Sequence, residues 1–158
     1  MSIERARAHL KKYGLDGKIR EFDVSSATVA LAAEAVGTEP RRIAKTLSFM
    51  QGDRPVLIVA AGDAKVENRK YKDKFATKAK MIPFDDVEPL NGHGVGGVCP
   101  FGINEGVTVY LDESLRRFET VFPAAGTAAS AVELTIAELE LASGFCEWLD
   151  VTSDPREE

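Results

Sequence analysis

Ile43-Ala44-Lys45-Thr46-Leu47-Ser48-Phe49-Met50, followed a few residues later by Pro55-Val56-Leu57-Ile58-Val59-Ala60-Ala61, is the stretch that decides the fold. The first run reads as a strand whose alternation puts Ile43, Lys45, Leu47 and Phe49 on one face. The second is apolar almost throughout, as in a central strand buried on both faces. Gly62-Asp63 ends it.

Two helices are expected ahead of this pair. Ile3 to Leu15 is amphipathic, with Ser2 as its cap and Gly14 as its stop. Ser26 to Val36 is rich in alanine, with Ser25 or Ser26 as cap and Gly37 just beyond its end. Pro40 starts a short helical turn. After the pair, a helix is expected within Val66 to Phe75 and a short one from Phe84 to Leu90. Val107 to Leu111 reads as a strand, and Asp112 caps a helical turn through Arg116. Phe118 to Phe122 and Ser130 to Leu134 are short strands on either side of a Pro123–Thr127 turn. Thr135-Ile-Ala-Glu138 has the form of a capping box that opens a helix ending near Gly144. Phe145 to Val151 is a last strand, and Thr152 to Glu158 a frayed, charged tail. Helices come first and strands mix with short helices afterwards, with no regular βαβ alternation. The expected class is therefore α+β, a mixed and mostly antiparallel sheet flanked by helices.

Composition narrows the function. With 158 residues, 44% hydrophobic and 28% charged, the chain reads as one globular domain over residues 1–158. It has no apolar run long enough to span a membrane. Met-Ser-Ile-Glu-Arg-Ala-Arg at the start has no apolar signal core, so a cytoplasmic location is expected. Cys99 and Cys146 form no metal-like spacing, and a disulfide is not expected in that compartment. His9 and His93 are the only histidines, too few for a His-rich metal cluster. No cofactor and no metal are expected. The net charge is −5, yet Lys65, Arg69, Lys70, Lys72, Lys74, Lys78 and Lys80 face only Glu67 and Asp73 in their window. A basic patch on an acidic protein suits a local polyanion contact; its ordinary reading is a solvated helix face.

Two features can carry chemistry. Asn91-Gly-His-Gly-Val-Gly96-Gly97-Val98-Cys99-Pro100-Phe101-Gly102 holds five glycines, which let main chain approach a ligand closely. It lacks the Gly-Lys-Ser/Thr ending of a phosphate-binding P-loop and leads into a strand rather than a helix; a tight turn between strands is its ordinary reading. Lys45 shares a face with three apolar residues. A lysine there either snorkels to the rim or reaches an anion in a cleft. Cys99 could be a nucleophile only beside a base or a positive helix end, with His93 the local candidate; as a small buried residue it more simply packs.

In order along the chain come Arg41-Arg-Ile-Ala-Lys45-Thr-Leu-Ser-Phe, the apolar strand ending at Gly62-Asp63, Gly96-Gly-Val-Cys-Pro-Phe-Gly102, Val121-Phe-Pro-Ala-Ala-Gly126, and Val132-Glu-Leu-Thr-Ile-Ala-Glu-Leu. Over roughly residues 20 to 148 this resembles the YbaK/EbsC family, freestanding relatives of the prolyl-tRNA synthetase editing domain. The resemblance implies the YbaK/prolyl-tRNA synthetase-associated fold. It also implies hydrolysis in trans of the ester that joins a wrong amino acid to tRNA. Lys45 would hold the terminal adenosine phosphate. The loop from Gly96 to Pro100 would cradle the aminoacyl carbonyl through backbone N–H groups, so Lys45, Gly96, Gly97, Pro100 and Gly102 are the implied catalytic set. Val98, Cys99, Phe101, Gly126, Thr127 and Ser130 would surround the substrate. A water helped by the neighbouring ribose hydroxyl would attack, with no metal and no protein nucleophile. Such an ester is already activated, and positioning with oxyanion stabilisation suffices. Mischarged tRNA is the implied partner, with an aminoacyl-tRNA synthetase as a further one. Lys65, Arg69, Lys70, Lys72 and Lys74 would meet the acceptor stem through phosphates.

The chain departs from the family at Gly126-Thr-Ala-Ala-Ser-Ala131. Cysteine-clearing members carry charges there and alanine-clearing members a histidine. Small side chains would leave room for a larger substrate, or Thr127 and Ser130 would hydrogen-bond a hydroxyl. Two rival readings stand beside deacylation: a non-catalytic tRNA- or nucleotide-binding regulatory module of the same fold, and a cysteine-dependent hydrolase of an unrelated ester.

Overall fold

Strands β2 (Ile43–Gln51) and β3 (Arg54–Ala61) form an antiparallel hairpin in register from Ala44 opposite Ala61 to Gln51 opposite Arg54. The structure, a computed structural model, describes residues 2–153. β5 (Thr108–Asp112) runs parallel to β3, and β9 (Glu147–Leu149) parallel to β5. On the other side β6 (Thr120–Pro123) runs parallel to β2, and β8 (Leu134–Thr135) antiparallel to β6. The six-stranded order is β8-β6-β2-β3-β5-β9. Two short antiparallel pairs complete the strands: β1 (Ile19–Glu21) with β7 (Ser130–Val132), and β4 (Lys65–Val66) with β10 (Thr152–Ser153). The fold is α+β with a mixed sheet, and four of the seven strand pairings among the described residues are antiparallel.

The alternation of β2 and β3 sorts the core. Ala44, Leu57, Val59 and Ala61 point into the larger core, with Cys99, Phe101, Leu134 and Leu139. There they meet α1 (Ser2–Lys11) and α5 (Ile136–Ser143). Phe49, Val56 and Ile58 point the other way, to Tyr71 of α3 (Asn68–Phe75), Leu149 and Val151. Ile43 and Phe122 receive α2 (Val29–Val36) through Ala32 and Ala33. α4 (Phe84–Asn91) leads into the glycine loop.

Several boundaries move. α1 ends at Lys11 and begins at Ser2 itself, so Ser2 is not the cap. α2 is capped by Thr28, whose side chain accepts from Leu31 N, and ends on left-handed Gly37. Ser26 is buried instead, its Oγ accepting from Ser130 N at 3.1 Å. The single strand expected over Ser130–Leu134 is two strands with different partners, separated at exposed Glu133. The capping box of Thr135 and Glu138 is present. Thr152 is not frayed: it is buried and paired with Val66. The cause is Asp112, a buried carboxylate that accepts from Ser114 N at 3.0 Å, Val151 N at 2.9 Å and Thr152 Oγ1 at 2.6 Å. Residues 154–158 of the expected tail lie outside the described residues.

Candidate active site

β2 changes partners along one edge, and that change makes the site. Ile43 and Ala44 pair with β6. From Ser48 onward the same edge pairs with the segment before α4, through Met50 N to Lys80 O at 2.8 Å and Ile82 N to Ser48 O at 3.0 Å. Between them, from Lys45 to Leu47, the edge borders a cleft of about 390 Å³. Even-numbered residues of β2 turn their peptide groups away from β3, as those bonds show. The strand period therefore turns the Thr46 N–H and C=O toward the gap. The Thr46 hydroxyl is buried there with no partner among the described residues. Ser48 Oγ accepts from the buried Asn91 side chain at 3.0 Å.

Lys45 lines this cleft and is its sole charged lining residue among the described residues. Its ammonium donates to the Gly62 carbonyl at 3.4 Å and to the Ala64 carbonyl. Burial lowers its pKa below the ordinary 10.5 for lysine, Asp63 opposes that shift, and Lys65 adds to it. Asp63 is held by a two-point ion pair with Arg117, at 3.1 and 2.5 Å. Gly62 has to be glycine for packing: a Cβ would lie 2.1 Å from Pro40 O.

The glycine loop crosses from this cleft into the core. Val95, Gly96 and Val98 line the cleft. Gly96 has φ +92°, and a Cβ there would meet Ala128 Cβ at 3.0 Å and Ala27 Cβ at 3.1 Å, so the loop, the α2 entry and the 124–130 turn close on one another. The Gly97 N–H donates to Gly94 O at 3.0 Å, and its carbonyl accepts from Gly126 N at 3.1 Å. Gly97 thus braces the loop and presents no free amide. Pro100 is buried behind it. Gly102, at φ +70°, packs against the backbone of Arg5 in α1, away from the cleft.

Among the residues expected around the substrate, Val98 and Ser130 line the cleft. Cys99 and Phe101 do not: both are fully buried in the larger core. Gly126 is buried beside Gly97. The Thr127 and Ser130 hydroxyls are occupied with each other at 3.0 Å, and Ser130 Oγ also accepts from Ala125 N at 3.2 Å and donates to Thr127 O at 3.2 Å. They order the turn. Cys99 fits the nucleophile role no better. Burial pushes its thiol up to about 12, and its Sγ donates weakly to Phe101 O at 3.8 Å. His93 donates to the same carbonyl from Nε2 at 2.6 Å, and burial lowers its pKa.

The expected tRNA contacts divide. Lys70 is tied to Asp150 at 3.2 Å and to Thr152 O at 2.9 Å, and Lys74 to Glu147. Lys65, Arg69 and Lys72 are exposed.

A model of the aminoacyl-tRNA editing domain matches residues 24–141, from the α2 entry through α5. The chain belongs to this family. YwhH of Bacillus subtilis, an uncharacterized protein, is 48% identical to this editing domain over 155 residues, covering 98% of this chain and 99% of that protein. Proline–tRNA ligase of Geobacillus kaustophilus is 28% identical over 109 residues, which span 68% of this chain but 18% of the enzyme. The crystal structure of a proposed trans-editing enzyme for prolyl tRNA synthetase superposes with a TM-score of 0.86 at 28% identity, covering 97% of this chain and 98% of that one. No helix among the described residues is long and apolar enough to cross a membrane.

Sequence reasoning did not single out several walls of the editing-domain cleft. Ser26, Ala27 and Thr28 enter it because β1–β7 pairing carries the start of α2 across the sheet, and Thr46, Ser48, Met81 and Phe84 enter it through the partner change of β2. None has a local pattern that marks it. Cys99 yields a prediction. Cys99→Ala should leave the ester hydrolysis proposed below within about two-fold and cost about 1 kcal/mol of stability for the lost buried sulfur. Steady-state kinetics and thermal denaturation of the variant check both.

Proposed function

We propose that this editing domain is a trans-acting aminoacyl-tRNA deacylase that hydrolyses the ester of mischarged tRNA. The observation that supports it most directly is the meeting of Lys45, the Thr46 strand edge and the Gly96–Val98 loop around one cleft. The Lys45 ammonium, already anchored on two carbonyls, has donor capacity left for a phosphate oxygen of the terminal nucleotide. The Gly96, Val98 and Thr46 amides are the donors for the ester carbonyl as its oxygen gains negative charge. Such donors, fixed in a mostly apolar cleft, favour the transition state over the ester itself. Water is the nucleophile, and the ribose hydroxyl beside the ester assists it. Cys99 takes no part, since it is fully buried in the larger core and burial raises its pKa, and Cys146 does not line the cleft. The walls beside Lys45 are uncharged, with Ala27, Ala124 and Ala131 among them, so the amino acid side chain admitted is uncharged. The protein works in the cytoplasm beside the synthetase whose errors it clears.

The test is a panel of radiolabelled mischarged tRNAs mixed with the purified protein, with ester loss measured against buffer. Hydrolysis confined to one or a few uncharged amino acids is the expected result. No hydrolysis across a complete panel would sink the enzyme reading and leave a tRNA-binding module.

A further inference from the structure

The cleft mouth carries large apolar side chains in an unusual place. Phe84 is 74% exposed and Met81 62% exposed, and both line the cleft. Exposed large apolar groups gathered at a rim mark a surface that is covered in use. The same segment, Lys78-Ala79-Lys80-Met81-Ile82-Pro83-Phe84, turns Ala79 and Ile82 inward and leaves Lys78 and Lys80 exposed. Neither lysine makes an ion pair among the described residues, in contrast to Lys70 and Lys74. The segment is not loose. Its backbone is pinned to β2 at Met50 and Ser48, and Met81 bridges Phe49. Basic and flat apolar side chains interleaved on a fixed strip form the pattern that tracks single-stranded nucleic acid: cations follow the backbone and an aromatic face takes a base.

Resting on the deacylase reading above, we propose that this strip receives the single-stranded 3′ end of the tRNA, with the terminal base stacked on Phe84 and flanked by Met81. Lys78 and Lys80 meet the phosphates that precede it. Asp85 and Asp86 follow Phe84 at the exposed start of α4. They repel phosphate there, which confines the backbone to the lysine side and leaves Phe84 to a base. The strip delivers the ester to the β2 edge because the residues that carry it are themselves bonded to β2.

The test uses tRNA in which 2-aminopurine replaces the 3′-terminal adenine, uncharged so that hydrolysis does not enter. Binding is followed by anisotropy and stacking by 2-aminopurine quenching. The wild-type protein should quench on binding. Phe84→Ala should lose the quenching and bind at least about ten-fold more weakly, while its melting temperature holds because the ring is exposed. Phe84→Trp should restore both. Lys78→Ala with Lys80→Ala should lower the salt dependence of binding by roughly one to two in log–log slope. Unchanged quenching and affinity in Phe84→Ala would overturn the inference. So would hydrolysis in the mischarged panel with no 2-aminopurine change on binding, which leaves the deacylase reading intact. Neither binding nor hydrolysis would overturn both.

Discussion

Lys45→Ala is expected to lower kcat/KM for ester hydrolysis about 100- to 1,000-fold, the usual cost of removing one fixed charge-stabilising group from an active site, while the protein stays folded. The ammonium has a structural task as well, since it joins β2 to the Gly62 and Ala64 carbonyls beyond β3. Those two bonds are charge-assisted and worth about 1.5–3 kcal/mol each, a loss that water offsets in part because Lys45 is only partly buried. A purely structural Lys45 would therefore show a melting-temperature loss of a few degrees and near-normal turnover. Its titration gives a second, independent reading. Burial holds the Lys45 pKa below 10.5, so the ammonium proposed to bind phosphate is lost as pH rises through that lowered value. Enzyme-catalysed hydrolysis, after subtraction of the base-catalysed background, should fall in that alkaline range. Lys45→Arg, whose guanidinium keeps its proton, should lose part of the rate and all of the alkaline decline. Stability moves the opposite way. Between the lowered pKa and 10.5 the unfolded chain binds more protons than the native one, so the Lys45 contribution to stability rises with pH there. Denaturation of wild type and Lys45→Met across that window isolates it. An alkaline decline that persists in Lys45→Arg would assign the titration to another group.

The parts of this fold that were legible in the sequence are those with a period. β2 and β3 announce themselves through alternation and a continuous apolar run, α5 through its capping box, and the turn after β5 through Asp112. The strands that escaped are two or three residues long: β1, β4 and β10. Each exists only because a partner far along the chain fixes it, as Asp112 fixes Thr152. The site shows the same division. Lys45 and the glycine loop stand out because a cation among apolar residues and a run of glycines are rare locally. Which loop atoms face the cleft was not legible. That depends on Cys99 and Phe101 sinking into the core and on Gly97 spending its amide on Gly94. The basic stretch divides for an equally non-local reason: Lys70 and Lys74 form ion pairs with Asp150 and Glu147, acids 80 and 73 residues away in sequence.

Gly97→Ala should damage stability and rate together. Gly97 φ is not in the left-handed region, so backbone strain is not the reason. A Cβ at 97 would lie 2.5 Å from the Gly126 carbonyl carbon and the Thr127 nitrogen, and 2.6 Å from Thr127 Cα. These are main-chain atoms, and the turn that carries them is locked by Ser130 Oγ and by the Gly126–Gly97 hydrogen bond at 3.1 Å. Neither side can yield by rotating a side chain, so the loop and the turn must separate. Overpacking of this kind costs about 1–3 kcal/mol. The displaced loop carries Gly96 and Val98, and a misplacement near 1 Å costs about 100-fold in rate. Gly17→Ala is the control: nothing lies within 4 Å of its Cβ position and its φ is not positive, so both readouts should stay at wild type. If Gly97→Ala lost stability but kept full kcat/KM, the loop would be a brace for the 124–130 turn, and the donors for the ester carbonyl would have to come from the β2 edge alone.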